Sequence, residues 1–179
     1  VSRNSPPKKN FLSAVRKLAT KHNILLIFDE CTSGFRQTFG GLHKKYSVNP
    51  DMAMFGKALG NGYPITAVIG KREIMQAAQS TFISSTFWTE RLGSSAGIKT
   101  LEIMNRIKSW EQVTEKGCYL SNGWLKIARE NNLKIELSGI DPLKGFNFKS
   151  KNNLIYKTII TQEMLKRGYL ASTLCYLSI

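Results

Sequence analysis

Two short apolar runs in this sequence each end on a group able to do chemistry. Ile24-Leu25-Leu26-Ile27-Phe28 stops at Asp29, and Met52-Ala53-Met54-Phe55 is followed by Gly56-Lys57. A third polar group, Ser84-Ser85-Thr86, follows Phe82-Ile83. In an open α/β sheet, ligands lie beyond the carboxyl ends of the strands, so all three groups are candidates for one site. An acid directly after buried apolar residues is half desolvated and needs a positive or proton-donating partner, or its pKa rises. Asp29 could equally cap the next turn or bond loop amides, as structural acids do. A lysine at the mouth of a buried strand is poorly hydrated, which lowers its pKa and favours the nucleophilic amine; most lysines, by contrast, are simply solvated. Gly56 and the Gly60-Asn61-Gly62 turn permit close backbone approach beside Lys57. A pyridine ring acting as an electron sink needs an amine for its aldehyde, a carboxylate for its ring nitrogen and hydroxyls for a phosphate handle. Lys57, Asp29 and Thr86 supply one of each.

The elements that must position these groups follow from the periodicity. Pro6-Pro7 opens a helix whose apolar face carries Phe11, Leu12, Val15, Leu18 and Ala19 and which ends near His22-Asn23. The unbroken run Ile24 to Phe28 then reads as a parallel strand buried on both faces. Met52 to Phe55 and Ile65 to Ile69 read as two more short apolar strands, and Lys71 to Gln79 as a short helix. Ser94 or Ser95 is expected to cap a long helix bearing Ile98, Leu101, Ile103 and Met104, with a further helix over about 110–130. Beyond residue 131 the pattern changes to period 2, in Leu133 to Leu137 and Phe146-Asn147-Phe148, which predicts half-exposed antiparallel strands. Thr158 to Arg167 reads as a helix stopped by Gly168. Phe11, Met52, Met54 and Met104 are expected in the core. The overall pattern is an α/β part with buried strands followed by a smaller α+β part.

Composition excludes several classes. The 179 residues are 42% hydrophobic, which argues against a disordered chain, and the longest apolar run is far too short to span a bilayer. Residues 1–28 contain no acid but carry Arg3, Lys8, Lys9, Arg16, Lys17 and Lys21, without the apolar block of an export signal. Three cysteines, Cys31, Cys118 and Cys175, exclude a disulfide framework and every CxxC metal motif, and two histidines cannot build a His-rich metal site. No metal is expected, and a reduced, cytoplasmic compartment is the default. The 26 basic against 12 acidic residues, net +14, raise nucleic acid as a partner. Because the basic residues are scattered, solubilising charge is the better reading, and the alternatives are a basic nucleic-acid-binding or scaffold protein or a catalytically incomplete fragment.

The motifs go further. The run Leu26-Ile27-Phe28-Asp29-Glu30-Cys31-Thr32-Ser33-Gly34-Phe35-Arg36 is followed by Gly40-Gly41-Leu42-His43, by Asn49-Pro50-Asp51, and by Phe55-Gly56-Lys57-Ala58-Leu59-Gly60-Asn61-Gly62-Tyr63-Pro64. In this order the runs resemble the class III aminotransferases, and within them the branch of glutamate-1-semialdehyde 2,1-aminomutase. The likeness continues through Ser84 to Glu90 and more faintly to Gln162–Gly168.

The resemblance implies an incomplete α/β fold of the pyridoxal-phosphate-dependent transferase fold type I. Residues 1–105 would be the cofactor-binding part of the large domain, its C-terminal half. Residues 106–179 would be linker helices and part of a small α+β domain. It implies pyridoxal 5'-phosphate as cofactor, with Lys57 as the Schiff-base lysine and proton shuttle and Asp29 as partner of the pyridinium nitrogen. Cys31 would pack against the ring face, Thr32 would lie near the ring hydroxyl, and Thr86 would bind the phosphate from the neighbouring subunit of a homodimer. Substrates would be a small-molecule amino donor and carbonyl acceptor, with neither nucleic acid nor membrane as partner. Arg36 could orient a substrate carboxylate or make a structural ion pair, and His43 is assigned no role.

Two departures leave mutase and intermolecular transaminase both open. Thr86 is followed by Phe87-Trp88-Thr89-Glu90-Arg91 where the mutase has Gly-Thr-Leu-Ser-Gly-Asn-Pro around this threonine, and Gly60-Asn61-Gly62 replaces the usual triple glycine.

Overall fold

A computed structural model describes residues 6–88 and 90–179; Arg3 and Thr89, named above, lie outside the described residues. The elements run α1 (Phe11–Lys21), β1 (Ile27–Asp29), β2 (Met52–Phe55), β3 (Ala67–Gly70), α2 (Arg72–Ala77), α3 (Arg91–Ile107), α4 (Ser109–Glu130), β4 (Ile135–Ser138), β5 (Leu143–Phe148), α5 (Asn153–Lys166) and β6 (Leu174–Tyr176). Single 3-10 turns occupy Leu42–Tyr46, Lys57–Leu59 and Ala78–Ser80. The chain divides into two compact units, Pro7–Trp110 and Glu111–Ile179.

In the first unit, α1 buries Leu12 and Ala19, seven residues apart on one face. Asn23 in the left-handed region (φ 53) and the Ile24 amide bonded to the Ala19 carbonyl at 2.8 Å end the helix. β1 then pairs parallel with β2, placing Asp29 opposite Met54, and β2 pairs antiparallel with β3, placing Phe55 opposite Ala67. The 30–51 connection is long enough for a parallel return, whereas the short 56–66 connection allows only an antiparallel one. Asp51 locks the start of the sheet. It is 5% exposed, accepts the Leu26 amide at 2.8 Å, and binds Arg16 of α1 and Lys71 beyond β3, both at 2.7 Å. Lys71, the Leu26 amide and Arg16 together hold its carboxyl well below the usual carboxylate range, against the opposing effect of burial.

The sheet corrects one expectation. The first strand begins at Ile27 rather than Ile24, and it is not covered on both faces. Ala53 and Phe55 are 3% and 6% exposed and form a core with Leu59, against which Phe35, Ile65, Ala67 and Leu101 pack. Met54 and its cross-strand partner Val68 remain 41% and 46% exposed. Alternation along β2 sends Ala53 and Phe55 to the core side and Met54 to the other. A strand reads as doubly buried only where helices cover both faces, and among the described residues the Met54 side lacks that cover. Phe11 is likewise exposed rather than core.

α3 starts at Arg91, earlier than a cap at Ser94 or Ser95 would allow, and Glu90 precedes it without a side-chain capping bond. The reason is packing. Gly93 lies inside the helix where a Cβ would come within 2.9 Å of the Pro64 carbonyl oxygen, so the first turn must be helical to seat the Gly60–Pro64 turn. In the second unit, β4, β5 and β6 form an antiparallel sheet as the period-2 pattern predicts. Edge-on aromatic contacts run from Trp124 of α4 through Phe146 and Phe148 to Tyr156 of α5. α5 begins five residues before the expected Thr158, where the Asn153 side chain accepts the Phe148 amide at 3.0 Å. It stops at Gly168 (φ 84), as the sequence predicts.

Candidate active site

The parallel pairing of β1 with β2 brings the carboxyl ends of both strands to one edge of the sheet. Past β1, the Glu30 amide donates to the Met54 carbonyl at 2.9 Å, keeping the chain on β2, and the Gly34 amide donates to the Glu30 carbonyl at 2.7 Å, closing a turn. Asp29 accepts the Cys31 amide on Oδ1 at 2.9 Å, the local Asp-to-backbone bond that favours turns. Past β2, Gly56 is fully extended and Lys57 sits in the left-handed region at φ 42. A bulky residue there is uncommon and costs on the order of 1–3 kcal/mol of local strain. The Lys57 amine donates to Thr32 Oγ1 at 2.5 Å. Gly56 is required for this approach: a Cβ there would lie 2.9 Å from Cys31 Sγ and 3.4 Å from Thr66 Cγ2.

Four of the five residues singled out in the sequence are therefore connected. Cys31 touches the tip of β2, Thr32 receives the Lys57 amine, and Asp29 bonds the Cys31 amide. Thr86 is not brought in. It lies in the exposed 81–88 connection beside Phe82, Ile83, Phe87 and Trp88, all exposed, and no hydrogen bond among the described residues joins it to the other four. The desolvation expected at the strand tips is also absent, since Asp29 and Lys57 are both exposed in this chain.

The buried carboxylate is instead the next residue, Glu30, at 1% exposure. It accepts the Ser33 hydroxyl on Oε2, and its Oε1 lies 2.9 Å from both the His43 amide and His43 Nδ1. Burial pushes its carboxyl up, but the bonds from Ser33, the His43 and Leu42 amides and the His43 ring outweigh it and hold the group below the usual value. Sequence reasoning missed this pair. The signal was present: adjacent residues at a strand end point to opposite faces, so one acid of Asp29-Glu30 had to turn inward. His43, given no role above, is buried, with its ring tilted against Phe28 and the centroids 5.9 Å apart. Arg36 is partly buried in the same loop. Among the described residues, no group of three metal-binding side chains occurs.

Residues 4–174 match the family profile of aminotransferase class-III. The chain is 40% identical over 157 residues to 3-aminobutyryl-CoA aminotransferase of Cloacimonas acidaminovorans, covering 87% of this chain and 38% of that protein. It is 34% identical over 146 residues to glutamate-1-semialdehyde 2,1-aminomutase of Natranaerobius thermophilus, covering 80% of this chain and 34% of that protein. The chain thus spans under two fifths of the length of these relatives. Among solved structures, FumI of Sphingopyxis sp. MTA144, in its PLP internal aldimine form, superimposes with a TM-score of 0.87 at 24% identity, over 94% of this chain and 41% of that one. An omega-transaminase from Sphaerobacter thermophilus superimposes with a TM-score of 0.84 at 22% identity, over 97% and 44%. The fold is therefore that of the pyridoxal-phosphate-dependent transaminases, fold type I, present in part. With its family profile running almost from end to end, this chain belongs to the class III aminotransferases.

Proposed function

We propose that this chain carries the cofactor-anchoring part of an enzyme of amino-group transfer, an aminotransferase or a glutamate-1-semialdehyde-type aminomutase. The observation that carries the reading is the Lys57 amine at the tip of β2, held by Thr32 at 2.5 Å beside the end of β1 that bears Asp29. The family cofactor is pyridoxal 5'-phosphate. When bound, it supplies an aldehyde for an amine and a ring that withdraws electrons from the carbon next to the amino nitrogen. The residues fit it. An amine, a carboxylate and a hydroxyl stand at adjacent strand tips, and glycine at position 56 keeps the backbone low beside Cys31.

In this reading Lys57 would hold the cofactor and carry the substrate proton on Nζ. Asp29 would keep the ring nitrogen protonated. Cys31 would contact the ring face, and Thr32, which holds Nζ, would lie near the ring hydroxyl. As the family resemblance implies, Thr86 would bind the phosphate in the site of a neighbouring subunit of a homodimer. Residues 1–105 form the cofactor-binding part of the large domain, and 106–179 the linker helices and part of the small domain. Substrates are a small amino donor and a carbonyl acceptor, and the compartment is the cytoplasm. Among the described residues no helix is long and apolar enough to cross a membrane.

The test is to incubate the chain with pyridoxal phosphate, reduce with borohydride and map the labelled peptide. Label concentrated on Lys57 and absent from Lys57→Ala supports the reading. Label spread over surface lysines, with salt-sensitive affinity for nucleic acid, overturns it.

A further inference from the structure

The roles assigned above leave the buried Glu30–His43 pair unused, although it lies one turn from Thr32. We propose that Glu30 is a positioning residue for Lys57, its carboxylate gathering Ser33 and His43 so that the turn they bracket presents the Thr32 hydroxyl to the lysine amine. The importance of that presentation rests on the reading of Lys57 as the anchor. The geometry itself does not.

Glu30 is bound in three directions. Its amide donates to the Met54 carbonyl, on the strand that leads into Lys57. Its carbonyl accepts the Gly34 amide, so Cys31, Thr32 and Ser33 are enclosed in one closed turn. Its side chain takes the Ser33 hydroxyl within that turn and the His43 amide and Nδ1 from the 3-10 turn Leu42–Tyr46. Thr32 therefore sits between two residues, Cys31 and Ser33, whose positions are set by Asp29 and Glu30 respectively. A threonine hydroxyl on an unanchored turn would move away from Nζ, because a single exposed hydrogen bond contributes little against loop freedom. At 1% exposure, Glu30 cannot exchange its lost partners for bulk water, so removing one of them shifts the turn rather than leaving it in place.

The experiment is competitive reductive methylation of the full chain with formaldehyde and cyanoborohydride, read by mass spectrometry as the rate at Lys57 relative to exposed Lys151. It needs no cofactor. Held by Thr32, Lys57 should react roughly threefold more slowly than Lys151, the low end of what one solvent-exposed hydrogen bond contributes. Glu30→Gln, which keeps the shape but turns one acceptor into a donor facing donors, should raise the ratio to near one. His43→Ala should raise it as well, and His43→Gln, which restores a side-chain donor, should bring it back. Leu12→Ala destabilises the same unit from α1 and should leave the ratio unchanged. The proposal is overturned if Glu30→Gln and His43→Ala, folded by circular dichroism, keep the wild-type ratio, or if Leu12→Ala raises it equally. Should Glu30→Gln not fold, the two His43 variants decide the matter alone. Failure of pyridoxal phosphate to label Lys57 while the methylation pattern holds would sink the functional reading and leave this one standing.

Discussion

Gly56→Ala tests the packing at the tip of β2 with a magnitude that can be worked out beforehand. Gly56 is extended at φ −167, a backbone any residue adopts, so alanine meets no conformational strain there. The only penalty is steric: the new Cβ would stand 2.9 Å from Cys31 Sγ and 3.4 Å from Thr66 Cγ2, about an ångström closer to sulfur than an unstrained contact. Overpacking of this kind costs about 1–3 kcal/mol. Replacing glycine also restricts the unfolded chain and returns about 0.4–1 kcal/mol. The net expectation is destabilisation by anything from about zero to about 2.6 kcal/mol. In a Cys31→Ala background the sulfur is gone, and the same change should be close to neutral or slightly stabilising. The double-mutant cycle should therefore show a coupling of about 1 kcal/mol or more. The assay is urea unfolding followed by tryptophan fluorescence in a Trp124→Phe background, so that Trp88 and Trp110 report on the unit containing the site. Additivity of the two changes within about 0.5 kcal/mol would mean that Cys31 and Gly56 do not meet, and the convergence of the two strand tips would be wrong.

Three further outcomes are expected. Asp51 has its folded pKa depressed by Lys71, the Leu26 amide and Arg16, so its contribution to stability is complete above the unfolded value of about 3.9 and falls away as the pH drops toward the folded value. Acid titration of Asp51→Asn should show a shallower loss of thermal midpoint below about pH 4 than the parent, and an identical slope would contradict the three-way pairing of the Asp51 carboxylate. At neutral pH, Asp51→Ala should cost about 1–3 kcal/mol, chiefly because the Leu26 amide loses its acceptor while Arg16 and the exposed Lys71 amine can return to water, and chemical denaturation measures this directly. Gly168→Ala should destabilise α5 by about 1 kcal/mol: at φ 84, with nothing within 4 Å of the added carbon, the cost is purely conformational, and hydrogen exchange of the last turn should rise accordingly.

Most of the architecture was legible because it depends on local periodicity. Apolar spacing located α1 and α4, alternation located the antiparallel second sheet, and Gly168 marked the end of α5 by its need for positive φ. The start of α3 was misplaced because serine signals a cap only when no stronger contact competes, and here Gly93 packs under Pro64. Double burial of the strands was misread because an apolar run records what a strand can bury, and β2 covers only its Ala53 and Phe55 side within these residues.

The sequence by itself determined the chemistry on offer: an amine, a carboxylate and hydroxyls, each placed after an apolar run, in an order that marks one family. Residue type is a local property, and so is the stop of a strand. Tertiary structure alone decided which groups meet. It joined Lys57 to Thr32, sent Asp29 to the surface and Glu30 to the interior, recruited His43 from the next turn, and left Thr86 apart. Those outcomes depend on strand pairing and on which face each side chain takes, and both are set by contacts between residues far apart in sequence, 25 positions between Thr32 and Lys57 and 35 between Arg16 and Asp51.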